Sequence, residues 1–162
     1  MRLVLILVLV AAGAALVAVA LAWAGSRSGE TAVKPLPGLP RYTAGYTRWK
    51  KLNKRPIPPR AADAHLGRKN VYVRRLPRRG QRRFPGGTIV VKEIVRPNAR
   101  FAGVVAVMRK RVGFNRRHND WEMIEYSRGS AGARFTVLAQ GQICYSCHMA
   151  ARNRDYVFTY KR

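Results

Sequence analysis

The chain is poor in acidic residues, and this shortage narrows the function classes open to it. In 162 residues there are only 7 Asp and Glu against 32 Lys and Arg, so the formal charge is +25. Such an excess repels itself unless an anion lies near, which leaves nucleic acid, an anionic membrane and an acidic protein as partner classes. The sequence also lacks internal repeats and any RNP, zinc-finger or helix-turn-helix pattern. Its length suits one domain, and nucleic-acid binding is disfavoured.

Charge is absent altogether between Leu3 and Ala22. Twenty uncharged residues would form a helix about 30 Å long, which matches the hydrocarbon core of a bilayer. Small residues follow, as at the cleavage site of a secretory signal. We therefore predict that residues 1–24 are a signal peptide or a membrane anchor and that the protein is exported. Residues 25–40 are rich in Pro and Gly and are predicted to link this segment to one domain at 41–162.

Periodicity in the rest of the chain changes from helical to β-like. Apolar and aromatic residues from Tyr42 to Leu52 recur every three or four positions, which predicts an amphipathic helix. Because no helical pattern separates the later runs, the sequence predicts an α+β fold, mainly an antiparallel β-sheet with flanking helices. Five runs rich in Val, Ile, Thr and aromatic residues are the predicted strands: 70–73, 88–95, 101–108, 121–127 and 133–139.

The only two cysteines, Cys144 and Cys147, are followed directly by His148. C-x-x-C-H is the attachment signature of c-type haem, in which the thiols add to the two vinyl groups and the histidine ligates the iron. A redox C-x-x-C pair would need a βαβ context, and a tetrahedral zinc site would need more Cys or His than remain. A disulfide would leave His148 unexplained. The motif predicts one covalently bound haem c with His148 as the proximal iron ligand.

The opposite face of that iron has no obvious ligand. Met149 is the only methionine after His148 and is too close to it in sequence to reach the far side. An open iron favours binding or turnover of a small molecule, whereas a second protein ligand would indicate electron transfer. Residues of these types lie in the core or on the surface more often than they ligate iron. Four upstream residues could nevertheless supply such a ligand: Met108, Met123, His65 and His118.

Several stretches together resemble the cytochrome P-460 family, with its close relatives the β-sheet cytochromes c′ (cytochrome c′-beta). They are FPGGTIVVKEIV at 84–95, VVAVMRK at 104–110, GFNRRHNDWEMIEYS at 113–127 and CYSCHMAARNRDYVFTY at 144–160. The resemblance implies a mainly antiparallel sheet, a high-spin haem, a periplasmic location and frequent homodimers. Members similar to cytochrome P-460 oxidise hydroxylamine, with nitric oxide, toward nitrous oxide. Members similar to cytochrome c′-beta bind nitric oxide.

One lysine stands in the otherwise apolar centre of a predicted strand. The run 88–95 contains Ile or Val everywhere except at Thr88, Lys92 and Glu93. A lysine there must reach solvent or meet a group that justifies its burial. In proteins resembling cytochrome P-460 the matching lysine is bonded to the porphyrin edge, which implies the same for Lys92.

Hydroxylamine oxidation also needs a group that accepts protons near the open iron. The family pattern puts the segment around Trp121 near the pocket, and we predict Asp120 as the distal base. Glu122, Glu125 and His118 are the other titratable residues of that segment.

The sequence thus predicts a periplasmic haem c protein that oxidises hydroxylamine. Nitric oxide binding is the alternative, and electron transfer is the second alternative. An acidic redox protein is the expected partner, and the membrane is a further one if the N-terminal segment is not cleaved.

Overall fold

The computed structural model describes residues 33–61 and 63–160, so the predicted signal or anchor segment lies outside the described residues. Within the described ranges, no helix combines the length and the apolar composition that crossing a bilayer requires.

Six antiparallel strands pair in sequence order to form one sheet. Each strand pairs with the next one along the chain, so the sheet is a meander. The five predicted strands correspond to β2 through β6, and the α+β class is confirmed. The strands are β1 (Lys50–Lys51), β2 (Arg68–Val73), β3 (Ile89–Val95), β4 (Val104–Lys110), β5 (Trp121–Ser127) and β6 (Thr136–Gln140).

Both faces of the sheet are covered by packed side chains. One cluster includes Val90, Met108 and Met123, and the cluster on the other face includes Val91 and Val105. Neighbouring residues of a strand point to opposite faces, which is why the two clusters alternate along β3. The near-continuous apolar run in that strand is therefore explained by burial on both sides.

The predicted helix at 42–52 is wrong. Two 3-10 turns, Arg41–Thr43 and Tyr46–Arg48, replace it, and the chain then enters β1. Gly45 lies between the turns at φ 65°, in the left-handed region that interrupts a right-handed helix. The aromatic periodicity instead reflects packing, since Tyr46 is buried against the sheet.

The C-terminal part of the predicted linker packs against the domain. Leu39 is buried, and the Phe135 N–H donates to the Pro37 carbonyl at 2.8 Å. Gly38 has φ 86°, and a Cβ there would come within 2.1 Å of the Phe135 carbonyl oxygen. Only glycine fits this close approach.

One short α-helix follows the sheet. Helix α1 (Gln142–His148) begins directly after β6 and continues into a 3-10 segment, Met149–Arg154. Tyr145 fixes the helix to the sheet, because its side chain is buried and its hydroxyl donates to the Trp121 carbonyl at 2.8 Å. The C-x-x-C-H motif is thereby held over the cluster that contains Met108 and Met123.

Candidate functional site

A cavity of about 1250 Å³ lies between helix α1 and the sheet. Typical small-molecule sites have volumes of roughly 300–1,000 Å³, so this cavity is large enough for a bulky cofactor. Its sheet wall includes Ala106, Met108 and Met123, and its helix wall includes Ile143. The interior therefore suits a large, mainly apolar group.

Helix α1 presents the whole C-x-x-C-H motif to this cavity. Cys144, Cys147 and His148 all line it, since residues three and four apart share one face of a helix. Neither thiol is in a disulfide. Cys144 is half-buried, and burial is the main reason why the pKa of its thiol is raised. Both sulfurs are thus available for a covalent attachment.

The imidazole of His148 is oriented by a backbone carbonyl. Its Nδ1 lies 2.7 Å from the Tyr156 carbonyl oxygen, which only accepts, so Nδ1 carries the hydrogen and Nε2 keeps the lone pair. Burial lowers the pKa of His148 to about 4, partly offset by this hydrogen bond. The ring is therefore neutral near pH 7 with a free Nε2, which is the form that ligates a metal.

The sheet register places Lys92 and Glu125 on one row across the cavity wall. Lys92 pairs with Ala106, and Ala106 pairs with Glu125. Two strand spacings separate the ends of this row, about 10 Å. The small side chain of Ala106 leaves space between them.

His65 bridges the two ends of the row from the segment before β2. Its Nδ1 lies 2.5 Å from Lys92 Nζ, and its Nε2 lies 3.3 Å from Glu125 Oε2. All three side chains line the cavity. Amine, imidazole and carboxylate thus form a continuous hydrogen-bonded chain along which a proton can pass.

The amine of Lys92 is unusually easy to deprotonate. Burial lowers the pKa of Lys92 to about 8, and the Glu125 carboxylate offsets only part of that effect. A lysine with such a pKa has a substantial neutral fraction near neutral pH and can act as a nucleophile.

The structure brings together four of the five predicted site residues, and Asp120 is the exception. Lys92, Cys144, Cys147 and His148 share the cavity, whereas Asp120 is not among the residues that line it. Asp120 follows the 3-10 turn after β4, has φ 63°, and accepts a hydrogen bond from the Asn115 N–H at 3.3 Å. Its carboxylate therefore stabilises a tight loop.

Sequence reasoning did not predict that His65 and Glu125 lie beside Lys92 in the cavity. Strand alternation puts Trp121, Met123 and Glu125 on the same face, but it does not say which face the cavity lies on. The signal that could have identified Glu125 was the pairing of Lys92 with Ala106 and of Ala106 with Glu125. His65 lies in an irregular segment and carried no such signal.

Three of the four possible second iron ligands also line the cavity. Met108, Met123 and His65 do so, and the two methionines are direct cross-strand partners. His118 lies elsewhere, where its ring stacks on Tyr145 with the centroids 4.1 Å apart. Its Nδ1 is buried without a hydrogen-bond partner.

The residues of the cavity fit a haem. In the described part of the chain, no three Cys, His, Asp or Glu side chains converge to bind a metal ion. A porphyrin supplies four ligands itself, so the single neutral His148 beside two free thiols is a sufficient protein donor set. The anionic propionates of a haem would meet cations that line the same cavity: Lys50, Lys51, Lys54, Arg60 and Arg154.

An apolar cavity with a C-x-x-C-H helix on one wall defines a haem-binding protein. The family model for cytochrome P460 matches residues 43–159, and the chain belongs to this family. The cofactor of the protein is accordingly haem. A comparison with curated proteins gives no match.

Proposed function

We propose that this chain is a periplasmic haem c protein that oxidises hydroxylamine, together with nitric oxide, at an open iron face. The observation that carries the proposal is the Lys92, His65 and Glu125 chain, which faces the same cavity as the C-x-x-C-H helix. A protein that only transfers electrons has no use for a nucleophilic amine and a carboxylate at the haem.

Attachment of the cofactor uses three residues of helix α1. Cys144 and Cys147 would hold the haem through thioethers, each formed by adding one S–H across one vinyl group with no net oxidation or reduction. His148 offers Nε2 to the iron, because Nδ1 is engaged by the Tyr156 carbonyl. One haem per chain follows from one such motif.

Lys92 is the residue that would hold the haem by a third covalent link. A C–N bond from its amine to the porphyrin edge would replace one N–H and one C–H, and an oxidant of the peroxide class would have to accept the two electrons released with the two protons. His65, within 2.5 Å of the amine, is placed to take a proton.

Glu125 is the proposed base for substrate oxidation, and it takes the role that the sequence assigned to Asp120. A haem held in this cavity would supply the acceptor for the electrons that hydroxylamine gives up. The protons must leave as well, and the Glu125 carboxylate lies on the cavity wall with His65 as its hydrogen-bond partner at 3.3 Å. General bases placed in this way contribute about 10²- to 10⁴-fold to a rate.

Nitric oxide binding is the second candidate, and the apolar wall favours it. Ala106, Met108 and Met123 offer no hydrogen bond to a polar ligand. Electron transfer is the third candidate, and it would require Met108, Met123 or His65 as a second iron ligand. Fast binding of carbon monoxide to the ferrous protein would exclude this third candidate, whereas a low-spin ferric spectrum would favour it.

An arginine-rich loop supports the proposal of an acidic redox partner. Residues 74–83, between β2 and β3, contain six exposed arginines and no acidic residue. Leu76 of this loop is 41% exposed and also lines the cavity. A partner docked there would lie beside the haem, in the small, charge-steered kind of interface that redox pairs use.

The test compares two carboxylates in the haem-loaded protein. We expect Glu125→Gln to lower hydroxylamine oxidation by about 10²- to 10⁴-fold, because it removes the base and keeps the shape. Asp120→Asn should leave the rate near that of the wild type. A large loss in Asp120→Asn and none in Glu125→Gln would show that Asp120 is the base. Wild-type protein that binds nitric oxide and shows no oxidation would favour the second candidate.

A further inference from the structure

Asp155 is the most highly coordinated carboxylate in the described chain, and it lies outside the cavity. Its side chain is 1% exposed and accepts four hydrogen bonds. Oδ2 accepts from the Phe84 N–H at 2.8 Å and from the Lys110 ammonium. Oδ1 accepts from Asn119 Nδ2 at 2.9 Å and from Trp121 Nε1 at 3.3 Å. Four separate positions of the sheet and its loops therefore fix this one side chain.

The backbone at Asp155 is bent into a conformation that side chains disfavour. Asp155 has φ 51° and the next residue, Tyr156, has φ 68°. Two consecutive non-glycine residues in the left-handed region are rare, and Tyr has no local hydrogen bond that favours it there. Such a conformation persists only when surrounding contacts impose it. The four bonds to the Asp155 carboxylate are contacts of this kind.

The bend has a direct consequence for the haem ligand. The chain leaves the 3-10 segment at Asp155 and turns back, so that the Tyr156 carbonyl oxygen lies 2.7 Å from His148 Nδ1. Tyr156 is fully buried, and its N–H donates to the Ala151 carbonyl at 2.9 Å. The position of the carbonyl is thus set by the backbone angles at 155 and 156.

We propose that Asp155 is a positioning residue for the haem, which acts through the Tyr156 carbonyl to set the hydrogen bond at His148 Nδ1. A carbonyl that accepts from Nδ1–H fixes the ring orientation and makes Nε2 a stronger donor to the metal. A stronger donor favours ferric over ferrous iron. The hydrogen bonds that fix Asp155 therefore tune the reduction potential of the haem iron, although Asp155 does not contact the haem cavity. This inference rests only on His148 as the iron ligand and holds for each of the three candidate functions.

The decisive variant is Asp155→Asn combined with Lys110→Met in the haem-loaded protein. The second substitution removes the ammonium that would otherwise be buried without a counter-charge. We expect the Fe–His stretching frequency of the ferrous protein to fall and the reduction potential to rise, because the Nδ1 bond weakens. Values equal to those of the wild type in both measurements would overturn the proposal.

Glu93 provides the matched control. This carboxylate accepts hydrogen bonds from Tyr46, Asn70 and Tyr72, and it lies away from the cavity. Glu93→Gln should lower stability without moving the stretching frequency. A shift of the same size in Glu93→Gln would mean that the stretching frequency responds to a general loss of stability and not to Asp155 in particular.

A milder variant decides the question if the double variant does not fold. Asn119→Gly removes one donor to Oδ1, and glycine accepts the φ of 51° at that position. We expect a smaller shift in the same direction for both readouts. No shift in this variant would overturn the proposal. Failure of the wild type to bind haem through His148 would instead refute the proposed function, since it is visible before any variant is made.

Discussion

Two lysines on the same face of the sheet have opposite surroundings. Lys92 lies in the middle of β3 and Lys110 at the end of β4, and the pairing of Lys92 with Ala106 puts both side chains on one face. Burial is the largest effect on both amines and lowers the pKa of each. The Lys110 ammonium is bonded to the Asp155 carboxylate, whereas the Lys92 amine has the imidazole of His65 as its hydrogen-bond partner.

This difference supports a structural role for Lys110 and the reactive role proposed for Lys92. A carboxylate in direct contact holds Lys110 as a fixed positive charge, which also lies 4.9 Å from the centroid of the Trp121 ring. The carboxylate nearest to Lys92 in its hydrogen-bonded chain is that of Glu125, and the His65 ring lies between the two. The neutral form of the Lys92 amine is therefore accessible, and a neutral amine in an apolar cavity is a nucleophile. Both amines are buried, so the partner is what distinguishes them.

The largest effect is expected from Lys92→Leu. This substitution removes the nucleophile and should abolish hydroxylamine oxidation, while haem attachment through Cys144 and Cys147 is kept. The Soret band should move toward that of an ordinary five-coordinate haem c, because the porphyrin edge is no longer modified. Mass spectrometry should still find the polypeptide plus one haem. An unmodified Lys92 peptide in a tryptic digest of the wild type would contradict the crosslink and favour nitric oxide binding.

The converse substitution, Lys110→Met, should lower the stability of the protein and leave the Lys92 crosslink intact. Removing one partner of a buried ion pair leaves the Asp155 charge uncompensated, at a cost of about 3–5 kcal/mol. Denaturant unfolding of the haem-loaded protein measures this loss. The same preparation should keep the Lys92 crosslink in its mass spectrum. If Lys110→Met abolished the crosslink and left the free energy of unfolding unchanged, the division of roles would be reversed.

The sequence predicted the sheet well because the sheet depends on local composition. Runs of Val, Ile and aromatic residues marked β2 through β6, and the C-x-x-C-H motif marked one wall of the cavity. The helix predicted at 42–52 failed because the left-handed Gly45 divides it and because β1 pairs with residues more than twenty positions away. Periodicity does not carry that long-range information.

The site was only partly predictable because several of its contacts also join residues far apart in the sequence. Lys92 is identifiable in the sequence because it is a lone cation in an apolar run. Glu125 could not be distinguished from Asp120 without the strand register. Lys110 and Asp155 are 45 residues apart, and nothing near either of them indicates a pair. The contacts between residues far apart in the sequence could be identified only from the structure.

A pH dependence would sharpen the contrast between the two amines. With the pKa of Lys92 at about 8, half of the amine is neutral at that pH, and the neutral fraction falls about tenfold for each further unit well below it. Crosslink formation in freshly loaded protein, started by peroxide, should follow this fraction and level off about one pH unit above the pKa. Mass spectrometry at intervals measures the rate. A rate independent of pH between 6 and 9 would mean that the Lys92 amine is not the group whose proton limits the reaction.

The smallest effect is expected from the exposed arginines, which lack the burial that gives Lys92 and Lys110 their roles. Arg78→Gln with Arg79→Gln removes two charges from the loop beside Leu76 and should slow electron exchange with an acidic redox protein several-fold at low salt. The loss should shrink as salt is added, because exposed charges are screened beyond about 8 Å at physiological ionic strength. The matched control is Arg116→Gln with Arg117→Gln, an equally exposed pair in residues that do not line the cavity. Stopped-flow mixing at several salt concentrations measures both variants. Equal losses in the two would assign the effect to net charge alone and would remove the loop at 74–83 as the docking surface.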